Sequence, residues 1–169
     1  MGKHIFAALG VILILASSFV LAEELPAIPP LPNKFQNIKI VKPDPSIPKD
    51  IADLLGEWEG NWKYEGDMKN ATGLNYGQEV RKAKVIVYAI PSPDKLKFLW
   101  GIGNSPYYTI QGGWWDNESD IEDWQGKKYF SRISQSEGGQ GKRMQFYLEN
   151  GILRGANTGF YAIELKKVR

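Results

Sequence analysis

Histidine and cysteine, the residues most often used for nucleophilic and metal chemistry, are almost missing from this sequence. The chain of 169 residues has no cysteine and a single histidine, His4, which lies in the N-terminal segment discussed below. Without that segment, Ser-His-Asp and Cys-His catalysis, disulfides and the familiar zinc and copper sites are all excluded. Carboxylates, lysine, tyrosine and serine remain, and we expect no enzymatic activity, no cofactor and no metal ion.

The closest pair of carboxylates suited to glycoside hydrolysis is Glu57 and Glu59. Two residues apart on a strand, they share one face, and Trp58 and Trp62 lie on the other. If the aromatic face is the interior, both carboxylates point to solvent, where no burial raises their pKa for acid catalysis. The pattern therefore favours two surface carboxylates.

An acidic stretch, D-N-E-S-D-I-E-D, covers positions 116–123 and places side-chain oxygens at alternating positions, as a calcium site would. It does not match an EF-hand loop, because Ile121 occupies the sixth position and Lys127 the twelfth. We interpret it as a solvated acidic turn, with calcium binding as the alternative.

The six tryptophans are the most prominent feature of the remaining sequence. An eight-stranded barrel has room for its own side chains or for one small ligand, so aromatic residues either plug such a barrel or line a cup. Both alternatives stay open at this point. If a cup exists, we expect its lining to be Trp62, Tyr64, Trp100 and Trp114. Alternatively, aromatic faces near loops can stack on sugar rings, which makes Trp114, Trp115 and Trp124 candidates for a carbohydrate platform.

The N-terminal segment has the pattern of a secretory signal peptide. Lys3 precedes an uncharged run from position 5 to 20, and Val20-Leu21-Ala22 supplies the small residues that a signal peptidase recognises. We expect cleavage after Ala22 and a secreted or periplasmic protein. The alternative is a retained membrane anchor, because residues 5–22 just reach spanning length.

Residues 23–50 contain seven of the ten prolines and are predicted to be an extended tether. The alternating apolar residues of Phe35–Val41 allow a second interpretation, in which this segment packs as an arm across the domain. In either case the domain itself is expected to cover residues 51–169. The whole chain has 21 basic residues against 19 acidic ones, which gives no basic field for nucleic acid.

Within the domain the hydrophobic period is two, which indicates β-strands. A short helix is predicted within Ser46–Leu55, and Asn150-Gly151 indicates a type I′ hairpin turn. The basic residues Arg81, Lys82 and Lys84 are interpreted as protection of sheet edges and exposed faces rather than as a phosphate site. We predict strands at positions 57–64, 80–90, 95–102, 107–115, 127–134, 142–149, 152–156 and 160–168.

Eight consecutive strands with mostly short connections predict an all-β fold, an antiparallel eight-stranded up-and-down barrel with one short N-terminal helix. A two-sheet sandwich is the alternative that the same pattern permits.

The sequence L-G-E-W-E-G-N-W at 55–62 resembles the G-x-W start of lipocalins and their calycin relatives. With V-I-V-Y at 85–88 and G-W-W at 113–115, it is also similar to exported bacterial domains with lipocalin-like barrels. The resemblance implies that Gly56 and Trp58 close one end of the barrel and that a basic residue, Arg169, covers Trp58. It further implies that residues 65–78 form a lid loop over the mouth.

These observations together predict a non-catalytic, exported barrel that binds a small apolar or amphipathic ligand. We expect no nucleic-acid partner and no membrane span after signal cleavage. The alternative is a packed structural or interaction module of the cell envelope, which would use tryptophan-rich loops to contact carbohydrate or another protein.

Overall fold

The computed structural model shows eight antiparallel strands closed into a barrel. It describes residues 24–64, 68–69, 75–76, 79–106, 109–134, 142–157 and 161–169. The barrel strands are β1 (Gly56–Tyr64), β4 (Glu79–Ser92), β5 (Lys95–Ile102), β6 (Gly113–Trp124), β7 (Lys127–Ser134), β8 (Lys142–Glu149), β9 (Ile152–Asn157) and β10 (Tyr161–Lys167). A separate short pair consists of β2 (Met68–Lys69) and β3 (Asn75–Tyr76).

The strand order around the barrel is β1-β10-β9-β8-β7-β6-β5-β4, and β4 pairs again with β1. Apart from the β4–β1 and β1–β10 contacts that close the barrel, each barrel strand pairs with its neighbour in sequence. The predicted eight-stranded antiparallel barrel is therefore confirmed, and the sandwich is not formed. This architecture is compatible with the lipocalin-like fold that the resemblance implies.

Alternation along each strand decides which side chains face the interior. In β1, Trp58, Trp62 and Tyr64 are buried, whereas Glu59 and Lys63 are exposed. The register places Trp58 opposite Val85 of β4 and Trp62 opposite Arg81. Because side chains on paired residues share a face of the sheet, the inward set of β1 continues directly into that of β4.

One end of the barrel is closed by short turns and by a helix of one turn. The helix, α1 (Lys49–Ala52), follows Pro48 and lies within the segment predicted to be helical. Gly56 begins β1 with a φ of +126°, and a Cβ there would lie 2.3 Å from the carbonyl oxygen of Arg169. Only glycine fits this close approach of the first and last strands.

The opposite end, called the open end here, carries the β1–β4, β5–β6, β7–β8 and β9–β10 connections. The predicted lid loop at 65–78 belongs to this end, but except for β2 and β3 it lies outside the described residues. The predicted signal peptide, residues 1–22, also lies outside them.

The acidic stretch 116–123 forms most of strand β6, so its interpretation as a turn is wrong. The predicted strand at 107–115 is correspondingly misplaced, because β6 begins only at Gly113. On the outer face, Lys95 of β5 lies 2.7 Å from Asp120 and Lys97 lies 3.2 Å from Glu118. These neighbours neutralise the carboxylates and allow a segment of poor strand-formers to complete the sheet.

The proline-rich segment lies against the outside of the barrel as an arm. It contacts the open end through Glu24, whose carboxylate lies 3.0 Å from the Lys82 ammonium on β4. A 3-10 helix, Asn33–Phe35, buries Phe35, and the N–H of Val41 donates to the carbonyl of Tyr88. The arm then reaches the closed end, where the buried side chain of Ile47 joins the hydrophobic core.

Candidate functional site

The half of the interior next to the closed end is filled by aromatic and aliphatic side chains. The rings of Phe130 and Phe146 stack with centroids 5.0 Å apart, and Phe98 meets Phe130 edge-on at 5.0 Å. The Trp100 ring lies 5.7 Å from that of Phe146. All four side chains are fully buried, so this half is a packed core rather than a ligand chamber.

Of the four residues predicted to line a cup, Trp62 and Tyr64 lie together in the half of the interior next to the open end. Their rings stack with a centroid distance of 6.4 Å, and both side chains are buried. Trp100 faces the same interior, but it belongs to the packed core described above. The candidate ligand site is therefore the half of the interior next to the open end.

Trp114 does not join the other three, and its prediction as an interior residue is wrong. Its ring lies on the outer face of the barrel over Gly101, where a Cβ would come within 2.7 Å of the ring. Its indole N–H donates to the carbonyl of Pro29 in the arm, at 2.7 Å. Since successive side chains of a strand point to opposite faces, it is Trp115 that faces inward, opposite Trp100.

The basic residue that covers Trp58 is Lys167, which corrects the prediction for Arg169. The Lys167 ammonium lies 5.1 Å from the centroid of the Trp58 ring. Arg169 instead forms an ion pair with Glu57 on the outer face. Lys167 is the residue in register with Trp58 across the β1–β10 pair, whereas Arg169 lies beyond the end of β10.

The outward carboxylates near the start of β1 are held by ion pairs. The Lys84 ammonium lies 2.8 Å from Glu57 and 2.6 Å from Glu59. Both carboxylates thus share the Lys84 cation on the outer face, away from the interior, and Glu57 also pairs with Arg169. Within the described part of the chain no group of three or more acidic or histidine side chains is placed to hold a metal ion.

Charged side chains occupy the interior near the open end, and sequence analysis missed them. Arg81 and Glu79 of β4 are each only 6 % exposed. They share the inward face with Ala83 and Val85. The interpretation of Arg81 as a residue that protects a sheet edge or an exposed face is therefore wrong. Lys82 and Lys84 do face outward, and each forms an ion pair there. The signal was available in the sequence, because Glu79 and Arg81 continue the period of two that ends in the buried valines.

A second arginine that faces the interior, Arg132, lies on β7, which β6 and β5 separate from β4. Arg132 follows the buried Phe130 by two residues and pairs in register with Met144 of β8. Its guanidinium lies 4.7 Å from the centroid of the Trp115 ring, a cation–π contact between β7 and β6. Trp115 itself is 40 % exposed although it faces inward.

The wall between β6 and β7 is only partly closed by backbone pairing. The two strands pair from Ile121–Phe130 to Trp124–Lys127, next to the closed end. Beyond this, the N–H of Ser131 donates to the hydroxyl oxygen of Ser119, at 2.8 Å, and the backbones separate. Beyond the paired part, the side chains of Arg132 and Trp115 make the contact between these two strands.

No family model matches the chain, and neither a curated protein nor a solved structure matches it significantly. The candidate site therefore stands on its own geometry. In the described residues, no helix has the length and apolar character needed to cross a membrane.

Proposed function

We propose that this protein is an exported, non-catalytic carrier that binds one small apolar or amphipathic ligand at the open end of its barrel. The observation that carries the proposal is the change of lining along the interior. The closed half is packed with phenylalanine, whereas the open half combines aromatic rings with the charged side chains of Glu79, Arg81 and Arg132, each of which has one buried polar atom without a hydrogen bond. Binding sites commonly have this composition, an apolar wall with a few polar groups that orient the ligand.

Export is supported by the sequence of residues 1–22, and the lack of catalysis by the near absence of histidine and cysteine. The side chains best placed to contact a ligand are Trp62, Tyr64 and Trp115. Binding would rest on buried apolar area and aromatic contact.

Titration with N-phenylnaphthylamine, an uncharged fluorescent probe, tests the proposal. We expect a saturable one-to-one increase in probe fluorescence with the intact protein, and loss of that increase in Trp62→Ala. Trp124→Ala is the matched control, because Trp124 is 63 % exposed on the outer surface. Absence of saturable binding, or equal binding by both variants, would contradict a site at the open end.

Native mass spectrometry of the protein purified from its own source gives an independent measurement. A stoichiometric mass excess that disappears on denaturation would support a carrier and would identify its ligand class.

A surface-contact module is the second candidate, favoured by an aromatic row on the outer face. Trp124 lies 6.0 Å from Tyr129, which lies 5.1 Å from Tyr147. These rings could stack on carbohydrate or pack on an envelope protein. Loss of partner capture in Trp124→Ala, with probe binding unchanged, would favour this alternative.

A further inference from the structure

A groove on the outside of the closed end lies between the arm and the ends of the first and last barrel strands. Its volume is about 540 Å³, and it is largely open to solvent. The arm and the strand ends both contribute to its lining, which includes Ile38, Lys39, Ile40, Leu55, Lys167 and Arg169. The fold therefore brings together two segments that are far apart in the sequence.

The two segments are basic and contain no acidic side chain. Positions 34–42 read K-F-Q-N-I-K-I-V-K, and positions 165–169 read L-K-K-V-R. Lys39 forms no ion pair with any carboxylate in the described part of the chain. Lys167 donates to the backbone carbonyl of Asp53 instead of to a carboxylate.

Arg169 is the one cation of the groove that has a carboxylate partner. It pairs with Glu57, and the same carboxylate lies 2.8 Å from the Lys84 ammonium. Three cations thus line the groove, and the carboxylate beside them is already shared with a fourth. The groove carries an excess of positive charge.

Other carboxylates of the closed end are engaged elsewhere. Asp53 pairs with Lys49, Asp123 with Lys128, and Glu149 with Lys127. The barrel connections that are not fully described belong to the open end. Residues 1–23 contain a single carboxylate, which is next in sequence to Glu24, a residue that lies at the open end. The positive charge of the groove is therefore not compensated from outside it.

The barrel wall provides a contrast. Six lysines of β4, β5 and β7 each lie 2.5–3.2 Å from a carboxylate, namely Lys82, Lys84, Lys95, Lys97, Lys127 and Lys128. The protein neutralises the cations of its wall and leaves those of the groove without such partners. Unpaired exposed cations create an electrostatic field that attracts an anionic surface.

Exposed aliphatic side chains lie beside these cations. Val41, which follows Ile40, is 58 % exposed, and Val168, between Lys167 and Arg169, is 54 % exposed. At the interface of an anionic bilayer, the head groups attract lysine and arginine, and the boundary with the acyl chains accepts aliphatic side chains. The alternation of the two residue kinds suits that interface.

A single small anion fits the groove less well. Such a ligand is held by several donors in one fixed geometry. Lys39 and Arg169 are exposed side chains, and 76 % of the Arg169 side chain is accessible to solvent. Their charge acts through an attraction that needs no fixed geometry, as on a membrane surface.

We propose that this groove and its flanking segments dock the protein on an anionic lipid surface by its closed end. The inference goes beyond the proposed function and does not depend on it. The candidate ligand site lies at the opposite end of the barrel and stays open to solvent in a docked protein.

Co-sedimentation of the intact protein with vesicles tests the inference. One set of vesicles is phosphatidylcholine alone, and the other is equal parts of phosphatidylcholine and phosphatidylglycerol. The ratio of the two partition coefficients is the quantity compared, because the uncharged residues 5–20, if retained, would bind both bilayers. We expect a preference of about 10- to 100-fold for the anionic vesicles, which should fall as salt is raised.

Single substitutions locate the contact. Lys39→Gln and Arg169→Gln each remove one cation of the groove and should each reduce the preference by about 3- to 5-fold. Lys63→Gln is the matched control, because Lys63 is an exposed lysine without an ion pair at the open end of β1, and it should keep the full preference. Val168→Ser leaves the charge unchanged and should weaken binding to the anionic vesicles.

The outcomes separate a lipid surface from other anionic partners. Equal binding to both kinds of vesicle, or the same loss of preference in Lys39→Gln and Lys63→Gln, would overturn the inference. Soluble polyglutamate is a second probe. If it binds the protein and the anionic vesicles are not preferred, the groove belongs to an acidic protein partner and lipid docking is overturned. The carrier function is tested separately by the uncharged fluorescent probe.

Discussion

Trp58 lies at the closed end of the barrel, where both the edge and the face of its indole ring make contacts. Its side chain is 1 % exposed, its Nε1 donates to the carbonyl oxygen of Leu54 at 2.9 Å, and Lys167 covers its ring. The residue thus connects the segment after α1 to the first and last strands. This role is structural, and it is separate from that of Trp62 at the other end of the same strand.

We predict that Trp58→Ala lowers the free energy of unfolding by about 3–5 kcal/mol, because truncation of a fully buried aromatic residue leaves a cavity. Urea denaturation measures the loss. Trp124→Ala is the control and should change stability by about 0.5 kcal/mol or less, since its side chain is mostly exposed. Similar losses in both variants would show that Trp58 is not the residue that closes the base.

At the scale of elements, two turns at the closed end have the same backbone conformation, but only one of them has residues that favour it. Asn150 and Gly151 have φ values of 52° and 76°, as the predicted type I′ hairpin requires. The β6–β7 turn has the same conformation, with φ values of 53° at Gln125 and 75° at Gly126. Asparagine tolerates the left-handed region better than glutamine does, so the second turn carries strain that the first does not.

Exchanging the two side chains tests this explanation. We expect Gln125→Asn to stabilise the protein and Asn150→Gln to destabilise it, each by about 0.5–1 kcal/mol, because the left-handed conformation is penalised for most residues. Thermal or urea unfolding gives both values. The explanation fails if the two substitutions shift stability in the same direction.

Strand β6 shows where local sequence preference is overridden. Asp116, Glu118 and Asp120 are poor strand-formers, and nothing in the segment itself indicates a sheet. The structure supplies Lys95 and Lys97 on the neighbouring strand and the Tyr88 hydroxyl, which donates to Asp116 at 2.9 Å. Such cross-strand partners become visible only once the register is known.

For the whole molecule, the arm fastens one side of the barrel from the open end to the closed end. Trp114 is the central contact, because it fills the space above Gly101 and binds the carbonyl of Pro29. The arm follows an extended, proline-rich path, so few backbone hydrogen bonds hold it and side-chain contacts must do so.

We predict that Trp114→Ala releases the arm without unfolding the barrel. Trypsin should then cleave after Lys34 and Lys39 several times faster than in the wild type, because the released segment can enter a protease active site. Mass spectrometry of the fragments identifies the cuts, and Trp124→Ala serves as the control. Unchanged cleavage in Trp114→Ala would show that other contacts hold the arm.

The sequence by itself determined the all-β class, seven of the eight barrel strands, the short helix before Gly56 and the turn at Asn150-Gly151. Each follows from local rules, namely a hydrophobic period of two, proline placement, and the residues that positive φ requires. The shortage of histidine and cysteine is likewise a matter of composition alone.

Only the tertiary structure decided which tryptophans face inward, which cation covers Trp58 and which arginines are buried. A shift of one residue moves a side chain to the other face of a sheet, so Trp114 and Trp115 could not be told apart without the register. The interior charge of Arg81 and Arg132 likewise depends on strands that lie far apart in sequence. Closure of the barrel turns the faces that carry these two residues toward one interior.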